Sequence, residues 1–158
     1  MKWPDKLTTD SKYTQILYKE KLDIDFISIV DENMTSNRKW TEEFCGMYID
    51  EGLNETIKWG TLGDAPSVAV QPSLVQTMID AGCCYISFGF ESGNDEILRT
   101  FGKGGRASVE QGKIAIKKAK NAGIDVTGFF MVGLSADTEK TMQETIDFAR
   151  TIPVDMMK

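Results

Sequence analysis

Apolar positions along this chain fall into short runs separated by amphipathic stretches, and the alternation repeats. Asp25 to Val30 reads as a strand, Trp40 to Asp50 as a helix, and Ile57 to Leu62 as a weaker strand that Gly60 and Gly63 interrupt. Pro72 and Ser73 open a short helix ending at Gly82, and the run Tyr85-Ile86-Ser87-Phe88-Gly89-Phe90 follows as a strand. Ser108 with Gln111 has the spacing of a capping box for a helix to Ala122, whose Ile114, Ala115, Ala119 and Ala122 would face a sheet. Val126 to Val132 is the next strand. Thr138 begins a further helix with Met142, Ile146 and Ala149 as its apolar stripe, Pro153 stops it, and a fifth strand candidate lies between Val154 and Lys158.

Glycine is the punctuation. Gly52, Gly82 and Gly123 each close a helical pattern and precede an apolar run, and the last two lie about forty residues apart, the length of one strand, one helix and two loops. Near-continuous apolar strands alternating with helices mean an α/β fold with a parallel sheet buried on both faces. A closed eight-stranded barrel takes about 250 residues, more than the 158 here. Two architectures therefore remain, an open doubly wound sheet or part of something larger. No Pro/Ser-rich linker or charge block marks an internal boundary, so residues 1–158 read as one unit.

Composition narrows the function classes. With 41% hydrophobic residues the chain has the makings of a core, and its net charge of -6 argues against a nucleic-acid surface, which needs clustered cations. Lys113, Lys117, Lys118 and Lys120 cluster, but as the solvated face of one helix. No apolar run approaches the roughly 20 residues that span a bilayer, and the residues after Met1 lack a signal peptide's apolar core. A cytoplasmic, membrane-free protein is the expectation. Cys45, Cys83 and Cys84 are expected as reduced, buried thiols, since adjacent cysteines rarely pair. The absence of histidine excludes imidazole acid-base chemistry, and no Cys-x-x-Cys offers a zinc or preassembled-cluster ligand set.

In parallel β/α folds the chemistry sits just after each strand. Here those segments are Asp31-Glu32-Asn33-Met34-Thr35, Gly63-Asp64, Glu91-Ser92-Gly93-Asn94 and Gly133-Leu134-Ser135-Ala136-Asp137, a rim of carboxylates, hydroxyls and glycine backbone suited to a ligand with hydroxyls and an amino group. Each has a plainer reading. Asp31, Glu32 and Asn33 equally suit a turn or cap, while the spacing of Ser92 and Asn94 favours caps of a helical turn through Glu96, Ile97 and Leu98. Gly133 to Thr138 is neither a P-loop nor a dinucleotide fingerprint. Lys103, between Gly102 and Gly104, sits in a flexible loop from which an ammonium could reach a carboxylate, though exposed lysines are common.

Taken together these segments resemble a known family. Phe88-Gly89-Phe90-Glu91-Ser92-Gly93-Asn94-Asp95-Glu96-Ile97-Leu98 with Phe101-Gly102-Lys103 is similar to the fourth strand and loop of radical S-adenosylmethionine proteins. Ala122-Gly123-Ile124 through Phe129-Phe130-Met131-Val132-Gly133-Leu134, with Asp137-Thr138, resembles their fifth strand, and Phe26 to Thr35 with Asn37 their second. The similarity runs from about Asp23 onward and is nearest the branch that carries an upstream cobalamin-binding domain. It implies a partial (β/α) TIM-like barrel, incomplete at both ends, whose remaining segments lie upstream and downstream or on another chain.

The resemblance also implies roles. Glu91 would hydrogen-bond the ribose of S-adenosylmethionine with Ser92 beside it, Lys103 would meet the methionyl carboxylate, Val132 and Gly133 would lie against the adenine, and Asp31 would face the active site. In the intact protein a 4Fe-4S cluster would cleave the cofactor to a 5'-deoxyadenosyl radical that takes hydrogen from a small-molecule substrate. The family holds that cluster with Cys-x-x-x-Cys-x-x-Cys, a spacing absent from Cys45, Cys83 and Cys84, so its ligands are not in this chain. Ser135 stands where proline is usual, and Phe129 where many members place an aspartate, removing one ribose contact. The rivals are a noncatalytic nucleotide-binding module with an open sheet and an interaction subunit completed by another chain.

Overall fold

A computed structural model describes residues 24–30, 33–71, 73–101 and 106–158. Five strands, β1 (Phe26–Ile29), β2 (Lys58–Gly63), β3 (Cys83–Glu91), β4 (Asp125–Phe130) and β5 (Met156–Met157), pair in the order β1-β2-β3-β4-β5, and every neighbour runs parallel. Right-handed crossovers between successive parallel strands carry each connection to the same face. A doubly wound sheet instead reverses its order at a switch point, and no reversal occurs among these strands. The sequential order therefore selects the wall of a (β/α) barrel over the open alternative.

The helices are α1 (Arg38–Asp50), α2 (Ala65–Val70), α3 (Leu74–Asp80), α4 (Asp95–Thr100), α5 (Val109–Asn121) and α6 (Glu139–Thr151). None among the described residues is long and apolar enough to cross a membrane. Gly52, Gly82 and Gly123 adopt φ of +66°, +90° and +87° just past α1, α3 and α5, as their punctuating role requires. The core buries Ile86, Phe88 and Val126 of the strands with Ala115, Ile116 and Ala119 of α5, each at most 2% exposed. Against fully buried Trp59, whose indole N–H donates to the Ala81 carbonyl at 2.8 Å, Phe44 packs edge-to-face at 5.2 Å and Tyr48 tilted at 6.3 Å between ring centres.

Several elements differ from their sequence pattern. β4 ends at Phe130 rather than Val132: the Met131 amide still reaches the Glu91 carbonyl of β3 at 2.7 Å, and Val132 then emerges 57% exposed. Helix α2 was not expected; the Asp64 carboxylate accepts from the Ser67 amide at 3.0 Å and a proline lies in the first turn. On α5, Ile116 is fully buried and Ile114 is 38% exposed; on α6, Thr145 and Phe148 face inward while Ile146 is 42% exposed. The reciprocal capping box belongs to Thr138 and Thr141, whereas Gln111 returns a contact only to the Ser108 hydroxyl. The lysine face of α5 is half structural: the Lys118 ammonium donates to the Ala69 and Val68 carbonyls at 2.6 and 3.3 Å, and Lys120 pairs with Asp155 at 2.6 Å.

Candidate functional site

The carboxyl ends of β2, β3 and β4, with Asn33, Arg106 and Lys158, surround a cavity of about 470 Å³, a volume suited to a small molecule. Alternate residues of β3, namely Ser87, Gly89 and Glu91, line one wall, and Phe129 and Met131 line the next. Asp64, Glu91, Arg106, Lys158 and Phe129 thus all border one space.

The Asp64 carboxylate is engaged with α2, accepting also from the Ser67 hydroxyl at 2.5 Å, and its amide donates to the buried Thr35 hydroxyl at 2.7 Å. Glu91 is held differently. The β3–β4 register shifts between Gly89 and Glu91, and such a bulge bends the strand and re-aims its side chains. Glu91 itself has φ +64°, the left-handed region that side chains with a Cβ enter at a cost of order 1 kcal/mol or more. The Ser92 amide donates back to the Phe90 carbonyl at 2.8 Å, closing a γ-turn around Glu91.

Beyond that turn the chain is clamped to α6. Ser92 is 1% exposed, outside the cavity lining, with its hydroxyl 3.1 Å from that of Thr145. A Cβ on Gly93 would lie 2.5 Å from the Glu144 carbonyl and 2.8 Å from the Thr145 Cα, so only glycine permits this approach. Asn94 caps α4, accepting from the Glu96 and Ile97 amides at 2.9 and 3.0 Å, the role its spacing favours, and donates to Glu144 at 2.6 Å. After β4, Gly133 has φ +84°, and the Asp137 carboxylate gathers the Gly133 and Leu134 amides at 2.9 and 2.8 Å.

Of the residues singled out in the sequence, Glu91 lines the cavity, Ser92 lies behind it, and Val132 and Gly133 follow the lining residue Met131 without joining the wall. Asp31, Glu32 and Lys103 lie outside the described residues. Sequence reasoning missed Arg106, Lys158 and Thr145. Lys158 reaches the cavity only because β5 pairs with β4, its amide donating to the Gly128 carbonyl at 3.0 Å and its ammonium lying 5.8 Å from the Phe129 ring centre. The thiols stand apart from this site and are free. Burial pushes Cys45 up to about 12, and raises Cys83 further, the reverse of what a thiolate ligand needs.

Residues 4–149 match the Radical SAM superfamily. The chain is 33% identical over 126 residues to an anaerobic magnesium-protoporphyrin IX monomethyl ester cyclase of Cereibacter sphaeroides, covering 80% of this chain and 20% of that protein. A protein of the same name from Rubrivivax gelatinosus is 30% identical over 158 residues, covering 98% of this chain and 28% of that one. In fold, the chain superposes with a TM-score of 0.80 and 13% identity on TsrM from Kitasatospora setae, a radical S-adenosylmethionine methyltransferase with cobalamin and a 4Fe-4S cluster bound, over 94% of this chain and 29% of that structure. The chain thus spans between a fifth and three tenths of these proteins. Barrel-wall strand order, a cavity at the strands' carboxyl ends and a match over nearly the whole length agree: this chain belongs to the radical SAM superfamily.

Proposed function

We propose that this chain forms part of the cofactor-binding barrel of a longer radical SAM enzyme, and that its cavity takes S-adenosylmethionine. One observation carries the reading: Glu91 lines the cavity at a bulge and a strained turn, the kind of backbone expense that clusters at functional sites. Glu91 would accept from the ribose hydroxyls, since a carboxylate has acceptor capacity for both. Lys103 would meet the methionyl carboxylate as a point charge, Val132 and Gly133 would lie against the adenine, Asp31 would approach from the loop after β1, and Ser92 would support Glu91 from behind. In this family S-adenosylmethionine supplies a 5'-deoxyadenosyl radical when it is reductively cleaved at a 4Fe-4S cluster.

The cluster does not fit the residues of this chain. Its three cysteines lack the family's spacing, and no three His, Cys, Asp or Glu side chains gather into a metal site among the described residues. Its ligands, and a cobalamin-binding domain of the kind the similarity to TsrM suggests, are assigned to the remainder of the longer protein.

S-adenosylhomocysteine titrated into the purified chain tests the reading without the cluster. Wild-type binding should weaken about tenfold in Glu91→Gln, the loss of one charge-assisted contact. Equal affinity in the two proteins would remove Glu91 from the site.

A further inference from the structure

The Thr145 hydroxyl is buried, 2% exposed, and makes three contacts. It donates to the Thr141 carbonyl at 3.1 Å, it accepts from the Gly93 amide at 3.0 Å, and it lies 3.1 Å from the Ser92 hydroxyl. A hydroxyl has one hydrogen and two lone pairs. With its hydrogen directed at Thr141, Thr145 accepts from both Gly93 and Ser92, so the Ser92 hydrogen points at α6. Ser92 in turn accepts from the Asn94 amide at 3.1 Å. A helical threonine bonding back one turn is ordinary; accepting twice from a turn more than fifty residues away is not explained by the helix.

That turn begins at Glu91, whose left-handed backbone persists only if its surroundings hold it there. On one side the Met131 amide holds the Glu91 carbonyl; on the other, the two residues following Glu91 are tied to Thr145. Resting on the cofactor reading above, we infer that Thr145, from the opposite side of the sheet wall, is the positioning residue that fixes the Glu91 carboxylate for the ribose. Ser92 acts in the same brace and makes no ribose contact of its own, because its hydroxyl is buried outside the cavity lining and directed at α6.

Thr145→Val keeps the shape and removes all three hydrogen bonds; Thr145→Ser keeps the hydroxyl and removes a methyl group. Affinity for S-adenosylhomocysteine, measured on folded protein at low temperature, should fall about tenfold in Thr145→Val and stay within about twofold of wild type in Thr145→Ser, even though both variants melt earlier. Equal losses in the two variants would show that affinity follows packing and would overturn the assignment, as would unchanged affinity in Thr145→Val. If Thr145→Val does not fold, Ser92→Ala removes one arm of the brace, and a several-fold loss supports the assignment while none overturns it. A wild-type chain without affinity for the probe defeats the cofactor reading and this assignment together; wild-type binding that survives Thr145→Val defeats the assignment alone.

Discussion

The Met131 amide donates to the Glu91 carbonyl across 2.7 Å, at the point where the β3–β4 ladder has slipped by one residue. The bond pins a glutamate backbone in a conformation that glycine adopts freely and a residue with a Cβ does not. Glu91→Gly should therefore relieve strain while deleting the carboxylate. We expect stability in urea to rise by up to about 1 kcal/mol and affinity for S-adenosylhomocysteine to be lost. A destabilised variant would mean that the turn carries no strain.

Gly93 leads to the opposite expectation. A methyl group there would meet the Glu144 carbonyl, the Phe148 Cβ and the Thr145 Cα, all within 2.8 Å, and two of the three are helix backbone that cannot rotate away. Gly93→Ala should cost about 1–3 kcal/mol by overpacking, read from the shift of the urea midpoint. A midpoint within error of wild type would show that α6 moves aside at little expense.

Alkaline pH should loosen the core around α1. Cys45 and Tyr48 titrate ordinarily at 9.0 and 10.0 but are raised to about 12, chiefly by burial. Between these values the folded chain binds more protons than the unfolded one, so their contribution is complete below pH 9.0 and is lost as pH rises toward 12. Denaturant midpoints should fall from about pH 9 upward, and Cys45→Ala should flatten that slope. A midpoint level across this range would refute the burial of the thiol.

Strand positions were legible because buried parallel strands are written as apolar runs, and helix ends because left-handed glycines follow them. Helix α2 was not, although Asp64 and Pro66 are both starting signals, since six residues leave no periodicity to detect. The rim carboxylate Glu91 could be found from its place after a strand. The inward face of α6 could not: Thr145 looks like a surface residue of an amphipathic helix, and only the approach of Gly93 from a distant loop buries it. Lys158 likewise enters the cavity through strand pairing, a long-range event with no local signature.

Helix α2 supplies Ala65 and Pro66 to the cavity wall, yet six residues contain too few propagating bonds to offset helix nucleation. It persists through the burial of Ala65 and Val68 in the core and through side chains at its two ends, Asp64 at the first turn and Lys118, reaching across from α5, at the last carbonyls. Lys118 reaches these carbonyls only with α5 docked, so this stretch of wall depends on a helix distant in sequence. Amide exchange along Ser67 to Gln71 should accordingly run ahead of global opening, giving the cavity a soft side next to the rigid one formed by β3 and α6.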